Sequence, residues 1–260
     1  MESLTAILTP LVSVVCCAHN EEEYVERTLP PLLKALKSIP SYEIIFVADR
    51  CTDNTVDIVK RYTELQIIQK TWKNWKNSYA ESLQAGFRIA KAVYFCIIDA
   101  DIAVPENFFR DLLPMIQGDI ASASAEVVVY PNSFWNRMIH AWEKTRNIAP
   151  LGKEPWGAAR IVLRSALEDI DGFRDMPTPD TDIDIRLAKI GFKNITSPTV
   201  KVYHLRQLSP RRMMSGQIVS GRGRYACNVG LIRTIGHALF RFRPFVIGGW
   251  LIEWVNNNKS

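Results

Sequence analysis

Short apolar runs, each closed by a polar cluster and separated from the next by a helix-period segment, constrain this chain more than any other feature of its sequence. Leu11 to Cys17 (LVSVVCC) runs into His19 and Asn20, Glu43 to Asp49 (EIIFVAD) ends on its own carboxylate, and Val93 to Ile98 runs into Asp99-Ala100-Asp101. A further run, Leu65 to Gln69, leads into a polar, Trp-rich loop. Continuous apolar runs of this length read as strands buried on both faces, as in a parallel sheet. Between them, Val25, Leu29, Leu32 and Leu36 share one helical face, and Val56, Val59 and Tyr62 share another. Ser78 to Lys91 also reads as a helix, and Pro105 stands where the helix carrying Phe108, Phe109, Leu112 and Ile116 would start. Asn20, followed by three glutamates, predicts the cap of the first helix, and Thr52-Asp53-Asn54 the cap of the second. The order β-α-β-α-β-α-β predicts an α/β fold with a Rossmann-like, mostly parallel sheet flanked by helices. Ligands of such sheets bind beyond the carboxyl ends of the strands, where these polar clusters stand.

Beyond Asp119 the pattern changes. Ile120 to Tyr130 reads as a strand, Ser133 to Arg146 as a helix, and Ala159 to Leu163 as a short strand after the Trp156-Gly157 loop. Asp171-Gly172-Phe173 reads as a turn, Asp180 to Ile190 as a helix, and Thr199 to Tyr203 as a strand closed by His204. These elements continue one sheet, so residues 1–206 are expected to form one domain. Residues 207–260 are expected to form a basic, amphipathic helical extension. They mix Arg211, Arg212, Arg222, Arg224, Arg233, Arg241 and Arg243 with Leu239, Phe240, Phe242, Phe245, Trp250 and Trp254. No apolar run approaches the ~20 residues that span a bilayer, and no signal peptide is recognisable at the N-terminus. A cytoplasmic protein is expected, with peripheral contact to the cytoplasmic face of a membrane through residues 231–260, or with those helices packed on the core. The net charge of +5 suits an anionic ligand or membrane surface as well as a solvated basic face. No nucleic-acid partner is expected. Five cysteines, odd in number and without a CxxC pair, read as free thiols in a reducing compartment.

Asp99 and Asp101, two carboxylates flanking a small residue at the end of a buried strand, form a hard-oxygen site suited to Mg²⁺ or Mn²⁺ and to phosphate oxygens. A carboxylate at Asp49 would accept hydrogen bonds from a base or ribose. Lys76, in the loop TWKNWKNSY, either meets a phosphate or base or is solvated.

The runs VSVVCCAHNEEEYVERTL, IIFVADRCTDNT and KNSYAESLQAGFRIAKAVYFCIIDAD resemble the nucleotide-binding half of the family-two glycosyltransferases. The resemblance continues through WGAARIVLRSALEDIDGF and PDTDIDIRLAKIGF and spans residues 11–206. It implies a GT-A fold and metal-dependent transfer from a UDP- or GDP-sugar, with a polyprenyl phosphate or a glycan as the acceptor. It implies that Ala18, His19 and Asn20, with Glu21 after them, line the base pocket, and that Asp49 binds base or ribose. By the same resemblance Lys76 contacts the nucleotide, Asp99 the ribose or metal, and Asp101 the metal. Asp180 is implied as the catalytic base of an inverting transfer, and His204 as a further metal or diphosphate ligand.

Some residues depart from that pattern. Ala48-Asp49 replaces two acids, and Pro179 replaces the glutamate before the base. Asp180, Asp182 and Asp184 form an acidic run in which Asp180 and Asp184 share a helical face and Asp182 points elsewhere. The register of Arg186-Leu187 and Gly191 selects Asp180, leaving Asp184 as a solvated acid or the partner of a basic neighbour. The processive-synthase pattern Gln-x-x-Arg-Trp is absent. A retaining enzyme on the same fold, or a non-catalytic nucleotide-sugar-binding protein, remains the alternative. A nucleotidyltransferase would need a glycine-rich basic loop where His19 to Glu23 stand.

Overall fold

The structure, a computed structural model, describes residues 9–129, 137–138, 157–206 and 209–258. In chain order the elements are β1 (Val12–Ala18), α1 (Glu22–Leu36), β2 (Tyr42–Asp49), α2 (Thr55–Val59), β3 (Leu65–Lys70), α3 (Ser78–Ile89), β4 (Tyr94–Ile98), β5 (Ile102–Ala103) and α4 (Phe108–Leu112). They continue with β6 (Ile120–Val129), β7 (Ala159–Leu163), α5 (Arg164–Glu168), α6 (Pro179–Lys189), β8 (Lys193–His204), α7 (Pro210–Ala226), α8 (Leu231–Phe240) and α9 (Phe245–Asn258). The helix expected over 133–146, apart from residues 137 and 138, and the expected contribution of Trp156 lie outside the described residues.

All eight strands form one sheet in the order β3-β2-β1-β4-β7-β6-β8-β5. β1 lies parallel between β2 and β4, and β2 is parallel to β3. Among the described residues four of the seven strand pairings are parallel, as expected of a mostly parallel sheet, and the three antiparallel ones all lie from β4 onward. β7 runs antiparallel to both β4 and β6, and β5 antiparallel to β8, whereas β8 is parallel to β6. The second half therefore extends the same sheet, as the sequence predicts, but makes it mixed.

The apolar runs are continuous because both faces of the sheet are covered. Val12, Val14 and Cys16 pack with Val25, Leu29, Leu32, Phe108 and Phe109 of α1 and α4. Val15 and Cys17 point the other way, into a cluster with Leu83 and Phe87 of α3, Leu167 of α5, and Ile183 and Leu187 of α6. This alternation follows from the two-residue period of a strand.

Asn20 does not cap α1. It takes a left-handed conformation at φ 58°, which Asn tolerates, and its Oδ1 accepts the Thr52 N–H at 2.8 Å. The first N–H groups of the helix are taken instead from across the sheet. Thr55 Oγ1 accepts from Glu21 N at 2.7 Å and Asp53 Oδ2 from Glu22 N at 3.1 Å. The exits of β1 and β2 are thereby laced together, which fixes one rim of the region beyond the strand ends.

α7, α8 and α9 follow the sheet. α7 and α9 cross through Gly221 and Gly249: a Cβ on Gly221 would stand 2.0 Å from the Val246 carbonyl oxygen, and one on Gly249 2.0 Å from that of Ile218. Only glycine permits so close a helix crossing. The Trp250 indole N–H donates to the Val229 carbonyl at 2.7 Å, and Arg222 pairs with Glu253 at 2.7 Å. Among the described residues no helix is long and apolar enough to cross a membrane.

Candidate active site

The register of β2 and β3 places Asp49 opposite Lys70. Lys70 is fully buried; its ammonium donates to Asp49 Oδ1 and Ser78 Oγ and forms an ion pair with Glu81 Oε2, each at 2.9 Å. Ser78 donates in turn to Asp49 Oδ2 at 2.5 Å, and Arg50 Nε to Asp49 Oδ1 at 2.9 Å. Burial opposes the charge on Asp49, but the hydrogen bonds from Arg50, Ser78 and Lys70 outweigh it and hold its pKa at about 2. Asp49 is thus an ionised carboxylate at neutral pH, at the end of β2. Its backbone carbonyl accepts the His19 Nδ1–H at 2.6 Å, which orients the imidazole over the rim.

One strand further along, Asp99 ends the β4 run. Tyr79, from the first turn of α3, donates its hydroxyl to Asp99 Oδ1 at 2.6 Å. Asn77 caps α3 by accepting from Tyr79 N at 3.1 Å and Ala80 N at 3.3 Å, and so sets this turn. Burial raises the Asp99 pKa to about 7; the Tyr79 hydrogen bond opposes the rise, and the charges of Asp101, Asp180 and Glu21 add to it. Cys17, Ala18, His19, Glu21, Asp49, Arg50, Ser78, Tyr79, Asp99 and Asp101 line a cavity of about 340 Å³ beyond the carboxyl ends of β1, β2 and β4.

Asp101 meets the far end of the sheet, because β5 pairs with β8 so that Ile102 faces His204. His204 Nδ1 lies 3.2 Å from the Arg206 carbonyl; a carbonyl only accepts, so Nδ1 carries the proton. His204 Nε2 faces Asp101 Oδ2 at 3.5 Å. Arg206 stands at the same carboxylate, donating Nε–H to that Asp101 oxygen at 2.6 Å and Nη2–H to Glu21. A carboxylate and an imidazole suit Mn²⁺ or Mg²⁺ when phosphate oxygens complete the shell. Among the described residues no group of three or more His, Cys, Asp or Glu side chains forms a ready metal cage, so a metal here would draw on its other partner for ligands.

Asp180 lies in the first turn of α6, directly after Pro179. Gly157 makes room for it, since a Cβ there would stand 2.8 Å from Asp180 Cβ. Tyr79, Leu83, Ile97, Asp99, Gly157, Ala158, Phe173 and Asp180 line a second cavity of about 270 Å³. Tyr79 and Asp99 wall both cavities, so the two spaces adjoin at that pair.

The other two acids of the run are structural. Asp182 is buried and pairs with Arg186, at 2.7 Å, and with Arg174. Asp184 is not a solvated acid; it pairs with the fully buried Arg160 of β7, whose Nε also donates to Ser122 at 2.6 Å. Together they pin α6 to the sheet and to the preceding loop, which aims Asp180.

A profile of glycosyl transferase family 2 matches residues 13–170 of this chain, a span that holds β1 to β7 with Asp49, Asp99 and Asp101 and ends before Asp180 and His204. The chain belongs to that family. A probable glycosyltransferase, YdaM, of Bacillus subtilis is 26% identical over 206 residues, covering 70% of this chain and 48% of its own length. A dolichol-phosphate mannosyltransferase of Pyrococcus furiosus is 23% identical over 193 residues, covering 73% of this chain and 52% of its own. The chain spans about half the length of these curated relatives. Its fold, GT-A, resembles that of a mannosyltransferase from Pyrobaculum calidifontis solved with GDP-Man and Mn²⁺, with a TM-score of 0.65 at 23% identity over 94% of this chain and 70% of the other. S. aureus TarS, solved with UDP-GlcNAc, matches with a TM-score of 0.57 at 16% identity over 81% of this chain and 65% of the other.

In this family-2 chain the structure gathers Ala18, His19, Glu21, Asp49, Asp99 and Asp101 around the first cavity, with His204 against Asp101 and Asp180 in the second. Asn20 turns to the neighbouring loop instead. Lys76 lines neither cavity; its side chain is exposed, and its N–H donates to Asp175 at 2.9 Å. The buried cation of this region is Lys70, one residue beyond the predicted end of the third strand. Extending that strand by one residue and pairing it with β2 would have found it. Tyr79 and Arg206 were also missed, and no spacing in the sequence points to either.

Proposed function

We propose that this protein transfers a sugar from a nucleoside-diphosphate donor to an acceptor hydroxyl or phosphate, with inversion and with Asp180 as general base. The observation that carries the reading is the shared wall: Asp99 and Tyr79 separate a cavity holding Asp49, His19 and Asp101 from one holding Asp180. The donor's base and ribose lie along Ala18, His19 and Asp49, and its diphosphate lies toward Asp101 and His204. Asp101 and His204, with Asp99 beside them, would hold a Mn²⁺ or Mg²⁺ ion, which would neutralise the charge of the leaving diphosphate. Asp180 takes the proton from an acceptor placed in the second cavity, on the opposite side of the anomeric carbon from the diphosphate. The family membership, and the GDP-Man and UDP-GlcNAc of the structural relatives, support a nucleotide-sugar donor. A panel of UDP- and GDP-sugars with Mn²⁺ tests it. At least one is expected to raise the melting temperature and to release its nucleoside diphosphate, and Asp101→Ala is expected to abolish both effects. Melting unchanged by every donor would refute the reading.

We also propose that α8 and the start of α9 lie on an anionic bilayer, which places the acceptor among lipid-linked phosphates or membrane-bound glycans. Ile232 is 86% exposed and Leu239 and Phe242 each 68%. Residues 207–260 carry eight of the chain's 32 basic residues and one of its 27 acidic ones, so their local charge is +7 against +5 for the whole chain. Exposed apolar side chains amid cationic charge match an acidic lipid surface. The full-length chain is expected to float with phosphatidylglycerol-containing vesicles, and the Leu239→Glu/Phe242→Glu variant to remain behind. Equal flotation of the two proteins would sink the membrane reading.

A further inference from the structure

Arg206 lies where the negative charge of the site converges. Its Nε–H donates to Asp101 Oδ2 at 2.6 Å, its Nη2–H to Glu21 Oε2, and its guanidinium carbon lies 4.8 Å from the centre of the Tyr24 ring. The main chain fixes the approach, since Leu205 N donates to the Asp101 carbonyl at 2.9 Å. The side chains involved are 22% (Arg206), 10% (Asp101) and 15% (Glu21) exposed, so little solvent screens them. Burial raises the Glu21 pKa and the Asp101 charge adds to the rise, so these two carboxylates repel each other wherever no cation stands between them. The oxygen that Arg206 occupies, Asp101 Oδ2, is also the one that His204 Nε2 faces at 3.5 Å.

We propose that Arg206 is the internal counter-cation of the metal site: it holds Glu21 and Asp101 together while no divalent ion is present, and it competes with that ion for Asp101 Oδ2. This rests on the metal reading given above. The side chain must leave that oxygen for the ion to take it. A donor diphosphate offers the released guanidinium new oxygens, which it binds well in a forked geometry. Metal and nucleotide therefore bind more tightly together than separately, a coupling that is reciprocal.

The test is a Mn²⁺ titration of the full chain, read as free Mn²⁺ by electron paramagnetic resonance, with and without UDP or GDP. Without nucleotide, Arg206→Ala is expected to bind Mn²⁺ about tenfold more tightly than the natural sequence, because the competing charge is gone. Arg206→Lys, which keeps the charge but not the fork, is expected to fall between them. The melting temperature of Arg206→Ala is expected to drop and to recover in millimolar Mn²⁺. Mn²⁺ affinity in both variants equal to or weaker than that of the natural sequence overturns the proposal. An Asp101→Asn control separates this from failure of the metal reading. If Mn²⁺ binding is the same in Asp101→Asn as in the natural sequence, with and without nucleotide, no metal site exists there and both ideas fall.

Discussion

Asp180→Asn is expected to lower turnover by about 10²- to 10⁴-fold, the range a positioned general base contributes. Nucleotide-sugar affinity is expected to stay within roughly threefold, because Asp180 lines the second cavity and not the first. The substitution keeps the shape that fits against Gly157 and removes only the proton acceptor. Neither neighbouring acid can replace it: Asp182 is held by Arg174 and Arg186, and Asp184 by Arg160. Single-turnover kinetics and calorimetric titration of the donor on the same preparation check both halves. Unchanged turnover would remove Asp180 from the reaction, and a collapse of donor affinity would make it a binding residue.

Lys70→Met is expected to destabilise the protein by about 3–5 kcal/mol, the cost of leaving a buried charge unpaired. The ammonium has no exposed surface and serves Asp49, Ser78 and Glu81 together. Its loss leaves two nearly buried carboxylates facing each other at the edge of the donor cavity. In the natural chain Lys70 is one of the groups that hold the Asp49 pKa at about 2, and the variant leaves Asp49 only its contacts with Arg50 and Ser78. A depressed carboxylate stabilises the fold above its unfolded pKa of about 4, and that contribution is lost as the pH falls toward 2. Chemical denaturation at pH 7 is the measurement. The Lys70→Met/Glu81→Gln double variant is expected to recover part of the loss, since one of the stranded charges is then gone. A loss below about 1 kcal/mol would show the cluster to be reached by solvent.

The two residues differ in how legible they are. Asp180, the proposed base, is singled out by the family resemblance, whose register rests on Arg186-Leu187 and Gly191 and holds although Pro179 replaces the expected glutamate. Lys70 is locally invisible, since a lysine ending a short strand looks like any solvated strand terminus. Lys76 drew attention instead because it sits in a conspicuous aromatic loop, yet the Asp175 carboxylate binds the backbone of that loop and leaves the lysine outside. Asp184 shows the same limit. Helical periodicity places it on a face, but only the antiparallel return of β7 reveals that Arg160 lies beneath it.

By itself, the sequence determined the β1-to-β4 half of the sheet, its two buried faces, and the carboxylates at the strand ends. Those features are written in local periodicity, and hydrophobic burial follows that pattern directly. Only the tertiary structure decided which cation neutralises which carboxylate: Lys70 with Asp49 and Glu81, Arg160 with Asp184, and Arg206 with Glu21 and Asp101. These partners lie up to 185 residues apart in the chain, and a charge in a low-dielectric site is assigned by distance in space, which register and helix packing set and no short motif encodes.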